Sequence, residues 1–143
     1  MNRVYITRRE TFNAAHKLWQ PNWSDEKNQE VFGACSNKNW HGHNFTLFVT
    51  VSGEPNEATG FVMNLKDLST LIRREVTDQL DHKNLNLDVP FFTGIMASTE
   101  NLSIAIWNIL APQIAAYGAE LEKIKLVETE NNFVEYYGGK KPF

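Results

Sequence analysis

"HNFTLFVTVSG", His43 to Gly53, is the stretch that decides the fold. Phe45, Leu47, Val49 and Val51 share one parity, while Thr46 and Thr50 take the other. Period two with β-branched and aromatic residues is the pattern of a strand. The chain offers this strand several partners. "VYITRRETFNAAH" near the N-terminus reads as another strand. "LEKIKLVETE" alternates apolar and polar residues, and "NNFVEYYG" follows an Asn-Asn turn, so these two read as a hairpin. Between them lie two helical patterns. "NLKDLSTLIRREVTDQL" spaces Leu65, Leu68, Ile72, Val76 and Leu80 along one helix face, with Asn64 as N-cap and Asp67 three residues on. "ASTENLSIAIWNIL" predicts a second helix capped by Ser98 or Thr99, with Leu102, Ala105, Ile106, Ile109 and Leu110 as its buried stripe. "GEPNEATG" is a turn region by composition. "DHKNLNLDVPFF" holds two Asn and a Pro and reads as a loop. The polar segment from Gln20 to Lys38 reads as a long ordered loop, a feature often functional in small domains. The order is strand, long loop, strand, two helices, hairpin. Strands and helices segregate, which argues for the α+β class with an antiparallel sheet.

The bulk numbers fit this reading. The chain has 143 residues, of which 42% are hydrophobic and 22% charged, and residues 1–143 are read as one compact domain. No stretch approaches the ~18–20 apolar residues of a membrane span. The N-terminus "MNRVYITRRE" lacks the apolar core of a secretory signal. A single cysteine cannot form an internal disulfide, so a cytosolic, cytoplasmic protein is expected. The net charge of −3 gives no global pull toward nucleic acid or membrane, and an anionic ligand would need a local basic patch.

The chemistry-bearing residues gather around "CSNKNWHGH", Cys35 to His43. His41 and His43 share the parity of the strand's apolar set, so both can project from one face. His16, at the end of the N-terminal strand, offers a third imidazole. Three imidazoles suit a catalytic zinc, which keeps one position open for water or substrate. The plainer reading is three partly buried polar residues with hydrogen-bond partners. Gly42 between two of them permits close approach of backbone or ligand. Cys35 has three readings: a fourth ligand closing a structural zinc, a small buried hydrophobe, or a thiolate acting as base or nucleophile. Asp81-His82 pairs a carboxylate with an imidazole that it can orient, or simply finishes a helix. Thr99 to Asn101 is a helix start with an acid in its first turn, and Glu128 is an acid where a strand runs into a turn.

"FNAAHKL", "VFGACSNKNWHGHNF", "GFVMNLKDL", "LDHKNLNLDVPFF", "STENLSIAIW" and "VETENNFVEYYG" resemble, in order, the motifs of the 6-pyruvoyl-tetrahydropterin synthase family. The resemblance covers nearly the whole chain. It implies the tunnelling fold: a four-stranded antiparallel sheet with two helices on one face. Three subunits would close a twelve-stranded barrel, and two trimers would stack into a homohexamer with sites between subunits. It also implies roles. His16, His41 and His43 become zinc ligands. Cys35 becomes the proton-abstracting base, with Asp81 and His82 as its relay. Glu128 would anchor the pterin's amino-pyrimidine edge, and Ser98, Thr99 and Glu100 would line the pterin pocket. Two positions often basic in the family are Lys17 and Ala34 here, with Lys27 and Lys38 as further cations nearby.

The implied reaction is zinc-dependent conversion of 7,8-dihydroneopterin triphosphate to 6-pyruvoyl-tetrahydropterin and triphosphate, a lyase reaction of tetrahydrobiopterin biosynthesis. No dinucleotide fingerprint is present. The same superfamily contains 6-carboxytetrahydropterin synthases of queuosine biosynthesis, which release acetaldehyde. The five residues between Cys35 and His41, and the "LDHKNLNLDVP" loop, resemble the pyruvoyl type more closely. A non-catalytic, zinc-stabilised pterin-binding module is a further reading, against which Cys35, Asp81, His82 and Glu128 weigh together.

Overall fold

The alternation around Phe45 builds the centre of the sheet. In the computed structural model, which describes residues 2–141, β1 (Val4–His16) and β2 (His41–Gly53) pair antiparallel along their whole lengths, from Val4 opposite Gly53 to His16 opposite His41. β4 (Glu120–Thr129) adds to the other side of β2, with an irregularity between Thr50 and Val51, and β5 (Asn132–Tyr136) completes the hairpin. The sheet has five strands rather than the expected four, in the order β3-β1-β2-β4-β5. The extra strand, β3 (Lys83–Asn84), is two residues long and runs parallel to β1. It lies in the Asn-rich stretch read as a loop. Backbone bonds alone make it a strand: His82 N–H donates to Asn13 O at 2.7 Å and Leu85 N–H to Ala15 O at 2.8 Å.

The helices cover one face of the sheet. Asn64 accepts the Lys66 N–H at 2.8 Å and starts α2 (Leu65–Ile72). A π-helical turn (Arg73–Thr77) and the short α3 (Asp78–Leu80) carry the same rod onward. A π-turn holds one more residue than an α-turn. Ile72, Val76 and Leu80, spaced four apart, are all buried along this rod. The expected stripe departs from the observed one at two positions. Leu65, at the first turn, is exposed, and Leu71 is buried instead. The second long helix is α4 (Thr99–Ala116), capped by Ser98, whose Oγ accepts the Asn101 N–H at 3.1 Å. Its Leu102, Ile106, Leu110 and Ile114 are fully buried. These side chains meet Phe45, Leu47, Val49, Val51, Ile124 and Leu126 of the sheet in one core cluster.

The segment Gln20–Lys38 is not a plain loop. It holds α1 (Asp25–Phe32) and a 3₁₀ turn (Gly33–Ser36). Ser24 caps α1 by accepting the Lys27 N–H at 3.1 Å. The helix has little apolar surface, and its one buried side chain is Asn28. Asn28 accepts the Gln20 N–H at 2.7 Å and donates to Gln20 O and Ser24 O, both at 3.0 Å. Hydrogen bonds from a buried amide, not an apolar stripe, dock this helix.

Candidate metal centre and active-site cleft

Strand register brings the histidines together. His16 ends β1 opposite His41, and His43 lies two residues further along β2, opposite Ala14. All three share the parity of Phe12 and Phe45, so they continue the core face of the sheet at its end. Phe45 is their floor, with ring centroids 5.6 Å from His43 and 6.2 Å from His16. Phe12 stacks beneath it at 4.9 Å. One donor atom each from His16, His41, His43 and Glu128 lies within 4.8 Å of the others. The group contains no cysteine.

The nitrogens are poised as donors. His16 Nδ1 lies 2.7 Å from Ala97 O, just before the α4 cap. A carbonyl can only accept, so Nδ1 carries the proton and Nε2 keeps its lone pair. His16 Nε2, His41 Nδ1 and His43 Nε2 are buried and make no hydrogen bond. Glu128 Oε1 is 2.9 Å from His43 Nε2 and 3.4 Å from His16 Nε2, close enough to pair but without hydrogen-bond geometry. Burial is the largest cause lowering all three histidine pKa values. For His16 the Ala97 bond opposes it, and for His41 and His43 the Glu128 charge opposes it. Imidazoles that are neutral near pH 7, with unpartnered buried nitrogens converging on one point, fit a bound divalent metal ion.

An open cleft of about 560 Å³ runs beside this centre, lined by Asn13, Gly42, His43, Asn44, His82 and Asp88 among others. Of the histidine group only His43 lines it, and of the Asp81-His82 pair only His82. Asp81 Oδ1 accepts the Asn13 N–H at 2.9 Å, and Oδ2 lies 2.8 Å from His82 Nδ1. The Asn13 N–H first, and His82 second, hold the Asp81 carboxyl below its ordinary value. His82 is exposed and sits at φ 60°. A non-glycine residue in the left-handed region is strained, and such strain concentrates at functional sites. A Cβ at Gly42 would meet only Ala14 O, at 3.7 Å, so no protein neighbour requires that glycine. Its missing side chain leaves room in the cleft instead.

The other expected residues belong to neither the donor group nor the cleft lining. Cys35 sits half-buried in the 3₁₀ turn, tied to the end of β1 by Leu18 N–H donating to Cys35 O at 2.7 Å. Ser98 caps α4, Thr99 is buried behind it, and Glu100 is exposed. A second cavity of about 410 Å³ is lined by Lys17, Trp19, Asp25, Gln29, Ser36, Asn37 and Lys38. Lys17 Nζ is held 4.7 Å from the Trp40 ring and 5.3 Å from the Trp19 ring. Lys27 lies over Trp23 at 4.3 Å. Three contributors escaped the sequence reading: the Ala97 carbonyl that sets the His16 tautomer, Asn13 that anchors Asp81, and Trp40. Trp40 directly precedes His41 and has φ 59°. An isolated tryptophan before His-Gly-His is the one signal that pointed to any of them.

A family model described as 6-pyruvoyl tetrahydropterin synthase matches residues 5–139. The chain is 47% identical over 136 residues to the 6-pyruvoyl tetrahydrobiopterin synthase of Pongo abelii, covering 95% of this chain and 92% of that one. It is 44% identical over 135 residues to the enzyme of that name from Dictyostelium discoideum, covering 94% and 96%. The structure of Caenorhabditis elegans 6-pyruvoyl tetrahydropterin synthase matches with a TM-score of 0.89 and 35% identity, covering 97% of this chain and 98% of that one.

Proposed function

The chain belongs to the 6-pyruvoyl tetrahydropterin synthase family, and we propose that it converts 7,8-dihydroneopterin triphosphate to 6-pyruvoyl-tetrahydropterin with loss of triphosphate. The observation that carries this reading is the convergence of His16, His41 and His43, with unpartnered buried nitrogens, on one point beside Glu128. These three histidines would hold zinc. When bound, zinc supplies a Lewis acid that lowers the pKa of the substrate's side-chain hydroxyls.

The protein's own groups do the rest. Cys35, as thiolate, takes the proton from the side-chain carbon next to the ring. His82 donates Nδ1–H to Asp81 Oδ2, which leaves Nε2 free to exchange protons in the cleft. Asp81 stabilises the protonated ring. The electron pair released at that carbon passes into the ring's C=N bond, which is reduced as it gains protons. A second proton, taken from the middle side-chain carbon, then expels triphosphate from the terminal carbon. The enols left behind become ketones, so the side chain is oxidised at the expense of the ring without external oxidant. Glu128 accepts N–H groups of the pterin's amino-pyrimidine edge, for which a carboxylate is the natural partner. Ser98, Thr99 and Glu100 line the ring pocket. Lys17 and Lys38, sharing one cavity, suit the triphosphate, while Lys27 is engaged with Trp23.

The proposal extends to assembly and compartment. β5 is an edge strand with Phe133 52% exposed, and β3 covers only Ala14 and Ala15 of the β1 edge. Closure of three copies into a twelve-stranded barrel, and stacking of two trimers into a hexamer, would cover both edges. A working thiolate calls for a reducing, cytoplasmic setting. No helix among the described residues is long and apolar enough to cross a membrane. The test is triphosphate release from 7,8-dihydroneopterin triphosphate, measured with zinc content. Wild type should turn over with about one zinc per chain. Alanine at all three histidines should abolish both, and zinc retained by that variant would refute the centre.

A further inference from the structure

The carboxylate of Glu128 lies among the histidine nitrogens, not apart from them. Oε1 stands 2.9 Å from His43 Nε2 and 3.4 Å from His16 Nε2, yet neither nitrogen forms a hydrogen bond. Because His16 Nδ1 donates to Ala97 O, a neutral His16 turns an Nε2 lone pair toward Glu128. Two lone-pair atoms facing each other repel unless a cation lies between them. Donors around a tetrahedral zinc at ~2.0–2.1 Å are themselves roughly 3.3 Å apart, and the two separations from Glu128 Oε1, 2.9 and 3.4 Å, bracket that value. Among the described residues, Glu128 pairs with no lysine or arginine; its ion-pair partners are His16 and His43. Three neutral imidazoles also leave both charges of a divalent ion uncompensated in a partly buried site, which one carboxylate offsets.

We propose that Glu128 is a fourth donor of the metal centre in the substrate-free protein, filling the position that His16, His41 and His43 leave open. This inference rests on reading the three histidines as metal ligands. It gives Glu128 two alternating roles. Substrate hydroxyls need the same open position, so Glu128 must release it before they bind. Once released, the carboxylate is available to the pterin N–H groups.

The experiment uses the full chain without substrate, loaded with zinc for affinity and with cobalt for its visible spectrum. Wild type is compared with Glu128→Gln and Glu128→Ala, the Gln variant keeping shape where the Ala variant could fail to fold. Loss of outer-shell partners already costs 10–100-fold in metal affinity, so loss of a direct donor should weaken zinc at least tenfold in competition with a chelator. The cobalt bands of both variants should shift from those of wild type. Zinc affinity within twofold of wild type, with superimposable cobalt spectra, would overturn the proposal and leave the three-histidine centre standing. Full zinc retention in His16→Ala would instead overturn the histidine centre itself, and this inference with it.

Discussion

Replacing Asp81 by Asn isolates the relay. The side chain keeps its size and can still accept the Asn13 N–H, a bond of 2.9 Å, but it loses the charge that faces His82 Nδ1 at 2.8 Å. A hydrogen bond to a charged group contributes about 1.5–3 kcal/mol. Spent wholly on the rate, that is roughly 10–150-fold. Water screens this pair, since the side chains of His82 and Asp81 are 77% and 41% exposed, so the lower part of the range, about 10–30-fold, is expected. His82→Ala removes the proposed proton carrier itself and should cost on the order of 10²–10⁴-fold. The two changes should not multiply, because Asp81 acts through His82. The double variant should match His82→Ala alone. The assay is steady-state pterin formation, with zinc content and circular dichroism confirming an intact protein. Asp81→Asn at the wild-type rate, or a double variant whose loss is the product of the two singles, would refute the relay.

Further outcomes follow from other residues. Cys35→Ala should keep zinc and fold while losing most turnover; loss of zinc would make Cys35 a ligand, against its absence from the donor group. Phe45, 1% exposed, supports the histidines, so Phe45→Ala should cost about 3–5 kcal/mol in denaturant unfolding, and a loss below about 1 kcal/mol would contradict that support. Buried Glu10 is pushed up by burial but pulled further down by Ser69, Arg8 and Arg73, so its folded pKa is lowered. Its contribution is therefore present above the ordinary carboxylate range and lost as pH falls through the folded value. Glu10→Gln should flatten the acid side of the stability–pH curve, and an unchanged slope would remove the claim.

The parts of the fold with one dry face were legible in the sequence. Phe45, Leu47, Val49 and Val51 alternate because the sheet has helices on one side only, and the caps at Asn64 and Ser98 stand where their side-chain oxygens predicted. The parts held by hydrogen bonds were not. α1 carries no apolar stripe, and Asn28 anchors it through backbone groups that no periodicity reveals. The segment "SDEK" at its start, a capping serine followed by two acids, was the available signal. β3 is too short to show a pattern and exists through bonds to β1. The π-turn is invisible to a reading that assumes one helical period, because Ile72, Val76 and Leu80, four apart, fit an ordinary α-helix equally well. At the site, strand parity placed His41 and His43 correctly on one face. The Glu128 carboxylate beside them depends on the pairing of β4 with β2, which sequence spacing alone does not specify.

The central claim is best tested by the fate of the substrate's side chain. Metal, cysteine and relay variants report on steps that the pyruvoyl and carboxy reactions share. They part only after triphosphate leaves. One incubation of zinc-loaded protein with 7,8-dihydroneopterin triphosphate, followed by mass analysis of the pterin and an aldehyde assay, separates them. The expected product is a pterin that keeps all three side-chain carbons, formed one-to-one with triphosphate. Stoichiometric acetaldehyde, with a one-carbon substituent left on the ring, would contradict it.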